Sequence, residues 1–101
     1  MELRVADNSE RGRYEVFADA ELAGFVTYRL SGTRISLLHT EVDDAFEGHG
    51  VGGTLVSETL DDARARGLEV LPFCPFVKGY IGKHPEYLDL VPEAERGNFG
   101  L

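Results

Sequence analysis

The sequence predicts an α+β fold: a four-stranded antiparallel meander, a glycine-rich loop, a crossover helix, a fifth strand parallel to the fourth, and a short C-terminal helix. Three observations support this prediction. Short runs that alternate apolar and polar residues, separated by turn-forming residues, fill the chain up to Val42. A glycine-rich stretch follows, and the next run carries apolar residues at helical spacing. A further apolar extended run, residues 68–73, completes the sheet.

The predicted meander consists of four extended runs, which are residues 3–5, 13–18, 22–30 and 34–42. In the third run, alternation places Leu22, Val26, Tyr28 and Leu30 on one side. Polar and glycine-containing segments of only a few residues join the runs. Such tight connections require antiparallel neighbours.

An amphipathic helix is predicted from about Gly50 to Arg66. Its apolar residues share one face, and these are Val51, Leu55, Val56, Leu60 and Ala63. Gly67 is a natural C-terminal stop. Because the helix connects two extended runs, it forms a crossover that returns residues 68–73 parallel to the fourth strand. Pro72 offers no N–H to a neighbour, so we expect the end of this strand to be poorly paired.

The C-terminal part of the chain begins with Pro75, which opens a short helix. His84-Pro85 ends that helix, and residues 86–91 form one more turn. We therefore predict a single domain over residues 1–91. We expect residues 92–101 to form a mobile tail.

Composition limits the classes of function. A chain of 101 residues forms one domain, and its net charge of −8 argues against nucleic acid and favours a cationic partner. No apolar stretch approaches the length of a membrane span, and no signal peptide is recognisable, so a cytoplasmic location is expected. One cysteine, Cys74, is compatible with a reducing compartment. We expect a monomer or a weak homodimer.

The stretch from Val42 to Thr54 has the character of a binding site. Residues 48–53 include four glycines, at the junction between the fourth strand and the helix. Without Cβ atoms in the way, successive backbone N–H groups at a helix N-terminus can surround an anion. The expected ligand carries phosphate. The only two lysines, Lys78 and Lys83, are close together in the sequence and suit a polyphosphate ligand.

A dinucleotide-binding site is an alternative, because Gly48, Gly50 and Gly53 fit the Gly-x-Gly-x-x-Gly pattern and Glu69 follows at a suitable spacing. That pattern should follow the first strand of a series of βαβ units. Here it follows an antiparallel meander and is followed by only about fifty residues, so this alternative is disfavoured. No Gly-Lys-Ser/Thr sequence supports a P-loop.

The run Glu47-Gly48-His49-Gly50-Val51-Gly52 resembles the pyrophosphate loop of the GNAT family of N-acetyltransferases, usually Gln/Arg-x-x-Gly-x-Gly/Ala. Val42 and Phe46 match the apolar and aromatic residues that commonly precede that loop. Residues 74–80 and 84–87 look like very small, single-domain members of about a hundred residues. Glu47 departs from the pattern, since an acid replaces the usual Gln or Arg and would weaken a side-chain contact to phosphate.

The resemblance implies a minimal GNAT-like fold that binds acetyl-CoA, with strands four and five splayed around the pantetheine arm. The cofactor-binding residues it implies are Val42, Glu47, Gly48, His49, Gly50, Val51, Gly52, Gly53 and Thr54, with Lys78 and Lys83 near the phosphates. Larger members shape the acceptor site with helices between the first two strands. Only residues 7–12 remain here, so acceptor recognition is open or supplied by a partner.

The resemblance also implies transfer of the acetyl group to an amine, which needs a base, an oxyanion donor and a proton for the thiolate. Glu41 is the first candidate base, and His39 projects to the same side of its strand. A backbone N–H near Val42 is the expected oxyanion donor. Tyr80 and Cys74 compete as the thiolate's proton donor, and Cys74 is also a candidate acyl-accepting nucleophile.

Structural alternatives remain for each of these side chains, such as a solvated strand end for Glu41 or an aromatic pair with Phe76 for Tyr80. No spacing of cysteine and histidine resembles a metal-ligand pair, so no metal is expected.

Two functions therefore follow. The first is an N-acetyltransferase that uses acetyl-CoA and a cationic amine, either a small amine or a protein lysine, by direct attack in a ternary complex. The second is a CoA- or acyl-CoA-binding module with little or no turnover.

Overall fold

Five strands form one mixed sheet in the order β1-β2-β3-β4-β5. The structure is a computed structural model that describes residues 1–101. The strand bounds are β1 Leu3–Asn8, β2 Arg13–Ala18, β3 Glu21–Ser31, β4 Arg34–Val42 and β5 Glu69–Pro72. Neighbours are antiparallel from β1 to β4, and β5 is parallel to β4. The α+β fold and the crossover predicted from the sequence are confirmed.

Two α-helices cover one face of this sheet: α1 Val51–Ala65 and α2 Pro75–Lys83. Three 3₁₀ segments complete the chain, at Asp44–Phe46, Pro85–Leu90 and Glu93–Phe99. The buried stripe of α1 is Val51, Leu55, Val56, Thr59, Leu60 and Ala63, which is the predicted apolar face with Thr59 added. Each large aliphatic side chain in it stabilises the fold by about 1.5–3 kcal/mol. No helix is both long and apolar enough to cross a membrane.

Helix α1 ends as its sequence predicts. Gly67 adopts a left-handed conformation with φ +68°. The amides of Gly67 and Leu68 donate to the carbonyls of Arg64 and Ala63, at 3.1 and 2.9 Å. This pair of bonds is a Schellman motif, which satisfies carbonyls at the helix end and turns the chain toward β5.

Two β-bulges change the faces that simple alternation predicts. Val16 pairs with Gly24 and Phe17 with Leu22, so Ala23 is an extra residue in β3. The extra residue turns Leu22 to the side of Phe17, away from α1, where it is exposed. Placing Leu22 with Val26 and Tyr28 was therefore wrong. Leu30 keeps its predicted side but is exposed at the end of the strand.

The second bulge lies where β4 loses its partner. Thr27 pairs with His39 and Tyr28 with Leu37, which leaves Leu38 as the extra residue of β4. Pairing of β4 with β5 ends at Leu37 and Pro72, although β4 continues to Val42. The stretch of β4 beyond Leu37 thus faces an opening, which we call the β4–β5 gap. A bulge bends its strand and Pro72 brings no N–H, so both features favour the opening.

Residues 92–101 differ from the mobile tail expected from the sequence. They contain the 3₁₀ segment Glu93–Phe99, and Phe99 is buried. Its ring packs edge-on against Phe73, with centroids 5.1 Å apart, and Arg96 Nε donates to the carbonyl of Val91. Burial of an aromatic ring provides the stabilisation that orders this short segment.

A hydrogen-bonded cluster ties the first half of the sheet to the end of α1. The Tyr14 hydroxyl donates to Asp62 and accepts from Arg66, while the Tyr28 hydroxyl donates to Asp7 at 2.6 Å. Burial, helped by the bond to Asp7, raises the pKa of Tyr28 to about 12. Burial likewise raises the pKa of Tyr14, with a further contribution from Asp62.

We expect this cluster to make the fold sensitive to alkali. Because the pKa of Tyr28 is raised above the usual value of 10.0, its contribution is fully present below pH 10 and is lost between pH 10 and about 12. Urea unfolding at stepped pH should show the free energy of unfolding falling across that window. The free energy of unfolding of Tyr28→Phe should fall less steeply in that window than that of the native protein. An equal slope for both would show that Tyr28 does not contribute.

A second prediction concerns Gly24, where β3 lies close to the backbone of β4. A Cβ at this position would lie 2.6 Å from the carbonyl oxygen of Glu41. We expect Gly24→Ala to reduce the free energy of unfolding by about 1–3 kcal/mol through overpacking.

Gly79→Ala is the matched control, because Gly79 is helical and nothing lies within 4 Å of a Cβ there. It should stabilise by about 0.4–1 kcal/mol. Chemical denaturation of both variants tests the difference, and equal stability would contradict it.

Candidate active site

The chain between β4 and α1 presents a row of free backbone amides. None of the N–H groups of residues 48–53 donates a hydrogen bond within the protein. The first intrahelical bond runs from the Thr54 amide to the carbonyl of Gly50. The preceding amides therefore point out of the helix N-terminus, where the helix dipole also favours negative charge. This arrangement can bind an anion with several phosphate oxygens.

The glycines of the loop have different structural roles. Gly48 and Gly50 have φ values of +84° and +70°, which other residues adopt only with strain. Gly52 allows close packing instead, since a Cβ there would lie 2.5 Å from Cζ of Phe76. A pocket of about 330 Å³ lies over the loop, and its lining is Val42, Phe46, Glu47, Gly48, Gly50, Val51, Gly52, Gly53 and Phe76.

A second pocket meets the first at Val42. It has a volume of about 210 Å³ and is lined by Leu22, Ala23, Gly24, Phe25, Glu41, Val42 and Asp43. The Asp43 amide donates to the carbonyl of Ala23 on β3. Because successive amides of a strand point in opposite directions, the Val42 amide points to the β4–β5 gap. Val42 thus links the loop pocket, the gap and a pocket that contains Glu41.

Glu41 and His39 lie on the side of β1–β4 opposite α1, which we call the open face. His39 Nε2 and Glu41 Oε2 are 3.4 Å apart, and both side chains are more than half exposed. Phe25 is paired with Glu41 across the strands, and its ring meets the His39 ring edge-on at 6.4 Å. The predicted grouping of these two side chains is observed, and a carboxylate in this position can accept a proton from a molecule on the open face.

Cys74 lies on the other side of β4. Its thiol is buried, and Sγ is 3.1 Å from Oγ1 of Thr40. Cys74 is the N-cap of α2, and its amide donates to the carbonyl of Leu37, the last paired residue of β4. The thiol therefore borders the β4–β5 gap from the helix side, while Glu41 lies on the open face.

The hydroxyl of Tyr80, unlike those of the other three tyrosines, has no hydrogen-bond partner. The hydroxyls of Tyr14, Tyr28 and Tyr87 bond to aspartates, and the Tyr80 hydroxyl makes no hydrogen bond within the protein. Its ring stacks on His84 at 4.1 Å and lies near Gly53 of α1. It does not form the pair with Phe76 that was considered from the sequence, because Phe76 packs over Gly52 instead. Tyr80 keeps a free donor beside the N-terminus of α1.

This arrangement can be compared with known families. The family profile of GCN5-related N-acetyltransferases matches residues 13–90, which is most of the chain. The chain belongs to this family. The resemblance recognised in the glycine loop is confirmed, and the shared fold accounts for the order meander, loop, helix and parallel strand.

Several solved structures share this fold. A GCN5-like protein from Staphylococcus aureus, solved by NMR and named as a prospective N-acetyltransferase, is 26% identical with a TM-score of 0.66. The match covers 90% of this chain and 87% of that chain. The ribosomal-protein-S18-alanine N-acetyltransferase of Escherichia coli is 19% identical, with a TM-score of 0.55 over 57% of this chain and 38% of that one.

Ard1 of Thermoplasma volcanium is 24% identical, with a TM-score of 0.51 over 58% of this chain and 41% of that chain. The present protein therefore spans nearly all of the staphylococcal protein but less than half of the two larger ones. At these identities the larger proteins show the fold only. No curated protein matches the chain in sequence.

The predicted cofactor residues of this family member fall into two groups. Val42, Glu47 and most of the loop line one pocket, whereas His49, Thr54 and the two lysines do not. Lys83 follows Phe76 by seven positions and Tyr80 by three, so it shares their side of α2. Lys78 is two positions from Phe76 and projects elsewhere. Glu47 is exposed at the start of the loop.

Sequence reasoning missed three residues of the site: Thr40, Phe25 and Phe76. Alternation does place Thr40 opposite His39 and Glu41, but only the fold brings it to Cys74. The packing of Phe76 on Gly52 joins α2 to the loop, and no local pattern indicates it. Phe25 has no local signal that distinguishes it from other strand residues.

Another cavity, of about 380 Å³, lies between β1 and α1 and contains Asp7, Asp61 and Asp62. Each of these carboxylates accepts a hydrogen bond from a tyrosine hydroxyl. Asp7 and Asp62 also bond to Arg66. Because their bonding partners lie within the protein, we infer that these carboxylates stabilise the fold.

If the free amides bind phosphate, a negative charge at position 50 should weaken that binding. Asp and Asn have side chains of the same shape, and both tolerate the left-handed conformation and the N-cap position. Gly50→Asp and Gly50→Asn therefore differ mainly in charge. A negative charge about 4 Å from a diphosphate costs about 1 kcal/mol or more per phosphate charge, so Gly50→Asp should raise the Kd for CoA at least about tenfold over Gly50→Asn. Calorimetric titration measures both. Equal Kd values would exclude the loop as a phosphate site.

Proposed function

We propose that this protein is an acetyl-CoA-dependent N-acetyltransferase in which an amine attacks the bound thioester directly. The observation that carries the proposal is the row of free amides at residues 48–53, next to a sheet that opens between β4 and β5. Both features suit a long ligand with a diphosphate at one end and an extended arm in the gap. Membership of the N-acetyltransferase family supports the same assignment.

In this proposal the loop amides bind the diphosphate of acetyl-CoA, and Lys83 lies on the nearest side of α2. The exposed backbone edge of β4 in the gap offers hydrogen bonds to the amides of the pantetheine arm. The Val42 amide, which points into the gap, donates to the carbonyl oxygen as negative charge develops on it. Fixed donors of this kind need no reorganisation during the reaction.

The chemistry uses both sides of β4. The amine approaches from the open face, and Glu41 accepts its proton directly or through water, with His39 beside it. The new C–N bond forms first, the C=O electron pair moves to the oxygen beside the Val42 amide, and the C–S bond breaks as that pair returns to restore the carbonyl. The thiolate departs toward the helix side, where either the Cys74 thiol or the free Tyr80 hydroxyl supplies its proton. Base and acid on opposite sides of the strand fit a single displacement through the gap.

We infer that the acceptor is an amine, as the family name implies, either a small amine or a protein lysine. The net charge of −8 supports a cationic group on it. One free cysteine and the need for acetyl-CoA support a cytoplasmic location.

A second candidate function is CoA or acyl-CoA binding with little turnover. The exposure of Glu41 and the acid at Glu47 favour it, because a base is most effective in a closed site and phosphate is repelled by a carboxylate. Tight CoA binding without transfer to any amine would support this second function over the first.

The base predicts a specific kinetic effect. We expect Glu41→Gln to lower kcat by about 10²-fold or more while the Kd for CoA stays unchanged. Glu69→Gln is the matched control, since Glu69 is a strand glutamate that pairs with Arg34 away from the gap. Transfer from acetyl-CoA to an amine panel, followed by thiol release, measures the rates. Native-like turnover by Glu41→Gln would remove Glu41 as the base.

The two candidate acids are separated by Tyr80→Phe and Cys74→Ala in the same assay. Tyr80→Phe removes the hydroxyl and Cys74→Ala removes the thiol, and neither variant retains a donor at that position. The variant that loses at least about tenfold in kcat identifies the proton donor, because a positioned acid contributes that much or more. Accumulation of acetylated Cys74 before product would contradict direct attack.

A further inference from the structure

Two of the four arginines on the open face have no polar partner within the protein. Arg34, at the far end of that face, bonds to Glu69 through Nε, and away from this face the terminal nitrogens of Arg64 and Arg66 bond to carboxylates. Arg4 and Arg29 make no hydrogen bond or ion pair in the structure, and both are exposed. Arg13 bonds to Glu15 through Nε only, which leaves its terminal nitrogens free. Free guanidinium donors on one face suit a negatively charged group.

Strand register brings two of these arginines around one small residue. Thr27 pairs with Arg13 on β2 and with His39 on β4, and Arg29 follows Thr27 by two positions on the same side of β3. Phe25 precedes Thr27 by two positions and lies on the remaining side of it. Thr27 is the smallest side chain of the five, and register surrounds it with two guanidinium groups, an imidazole and an aromatic ring.

Arg13 is held in place rather than free to turn away. Its guanidinium carbon lies 4.4 Å from the centroid of Phe25, and Glu15 anchors its Nε at 2.8 Å. Glu15 is itself buried and also accepts from Asn8. A stacked and anchored guanidinium loses little entropy on binding, so its remaining donors are well prepared for a carboxylate or phosphate.

The local charge of this face opposes the charge of the whole chain. The open-face positions of the five strands carry four arginines (Arg4, Arg13, Arg29, Arg34) against three glutamates (Glu15, Glu41, Glu69), which leaves +1. The chain as a whole carries −8. At physiological salt, charges more than about 8 Å away are largely screened. Around Thr27 two arginines face two glutamates, but Glu15 is buried and already bonded to Arg13 and Asn8, so the unused donors beside Thr27 belong to Arg13 and Arg29.

We propose that the acceptor carries an acidic group beside its reacting amine, and that Arg13 and Arg29 bind this group over Thr27 while the amine meets Glu41. This inference rests on the proposed acetyl transfer and narrows its acceptor class. Glu41 pairs with Phe25, which makes Thr27 its diagonal neighbour at about 7–8 Å. A lysine next to an acidic residue, or an amine at that distance from a carboxylate, has the matching spacing.

Capped tripeptides test the proposal by binding, independently of turnover. The probes are Glu-Lys-Glu, Gln-Lys-Gln and Arg-Lys-Arg, of which the first two differ only in charge. Each is titrated into the CoA-saturated protein while amide NMR signals are followed. We expect Glu-Lys-Glu to bind at least about fivefold more tightly than Gln-Lys-Gln, and by a larger factor more tightly than Arg-Lys-Arg. Its binding should shift the amide signals of Phe25, Thr27 and Arg29.

Variants assign the preference to the arginines. Arg29→Gln changes an exposed, unpaired side chain and should remove most of the preference for Glu-Lys-Glu. The double change Arg13→Gln with Glu15→Gln removes the second arginine without leaving a buried charge unpaired. Arg34→Gln, at the far end of the sheet, is the control and should keep the full preference.

Equal Kd values for the acidic and neutral peptides would overturn the proposal, as would tighter binding of Arg-Lys-Arg or an unchanged preference in Arg29→Gln. Absence of binding by all three peptides would overturn it as well. Acetylation of the same peptides is measured separately. If Glu-Lys-Glu binds preferentially but no peptide is acetylated, acetyl transfer fails while the anion-binding site stands.

Discussion

The hydrogen bonds that β4 does not make determine this structure's chemistry. β4 is paired on both sides only as far as Leu37, and from there to Val42 its outer edge faces an opening. The chain then turns through residues 48–53, whose amides are also unpaired. Unpaired buried amides are costly, so native proteins leave them only where water or a ligand can reach them. One continuous stretch of backbone thus offers donors first along the gap and then around the loop.

Several independent features keep that backbone open. The bulge at Leu38 bends β4, Pro72 gives β5 no N–H at its last position, and β5 is only four residues long. Cys74, two residues beyond the end of β5, bonds to Leu37 and to Thr40, so the start of α2 is fixed to the β4 side of the opening. Phe76 against Gly52 then joins α2 to the loop. The gap is therefore a built feature, held at its margins by side chains of the helix side.

The small size of the chain has consequences for the open face. Because only residues 9–12 separate β1 from β2, no helix covers that side, and Phe25, His39 and Glu41 are accessible from solvent. A molecule on this face meets the strand end at Val42 and the arginines around Thr27 together. Recognition on this face therefore depends on strand side chains alone. Those side chains are positioned by sheet register, which is more rigid than a loop.

Local patterns in the sequence determined the strands, the apolar stripe of α1, its stop at Gly67 and the glycine loop, because each depends on residues near in the chain. Alternation also placed His39 and Glu41 together. The tertiary structure decided what depends on distant pairs: Thr40 beside Cys74, Phe76 over Gly52, and Phe99 buried against Phe73, which orders residues expected to be mobile. It also decided the two bulges, since a single extra residue is absorbed only where neighbouring strands and the core require it, as the reversal of Leu22 shows. Arg13, Arg29 and Thr27 come from two strands and meet only through register, so the charge of the open face could not be read from a net charge of −8.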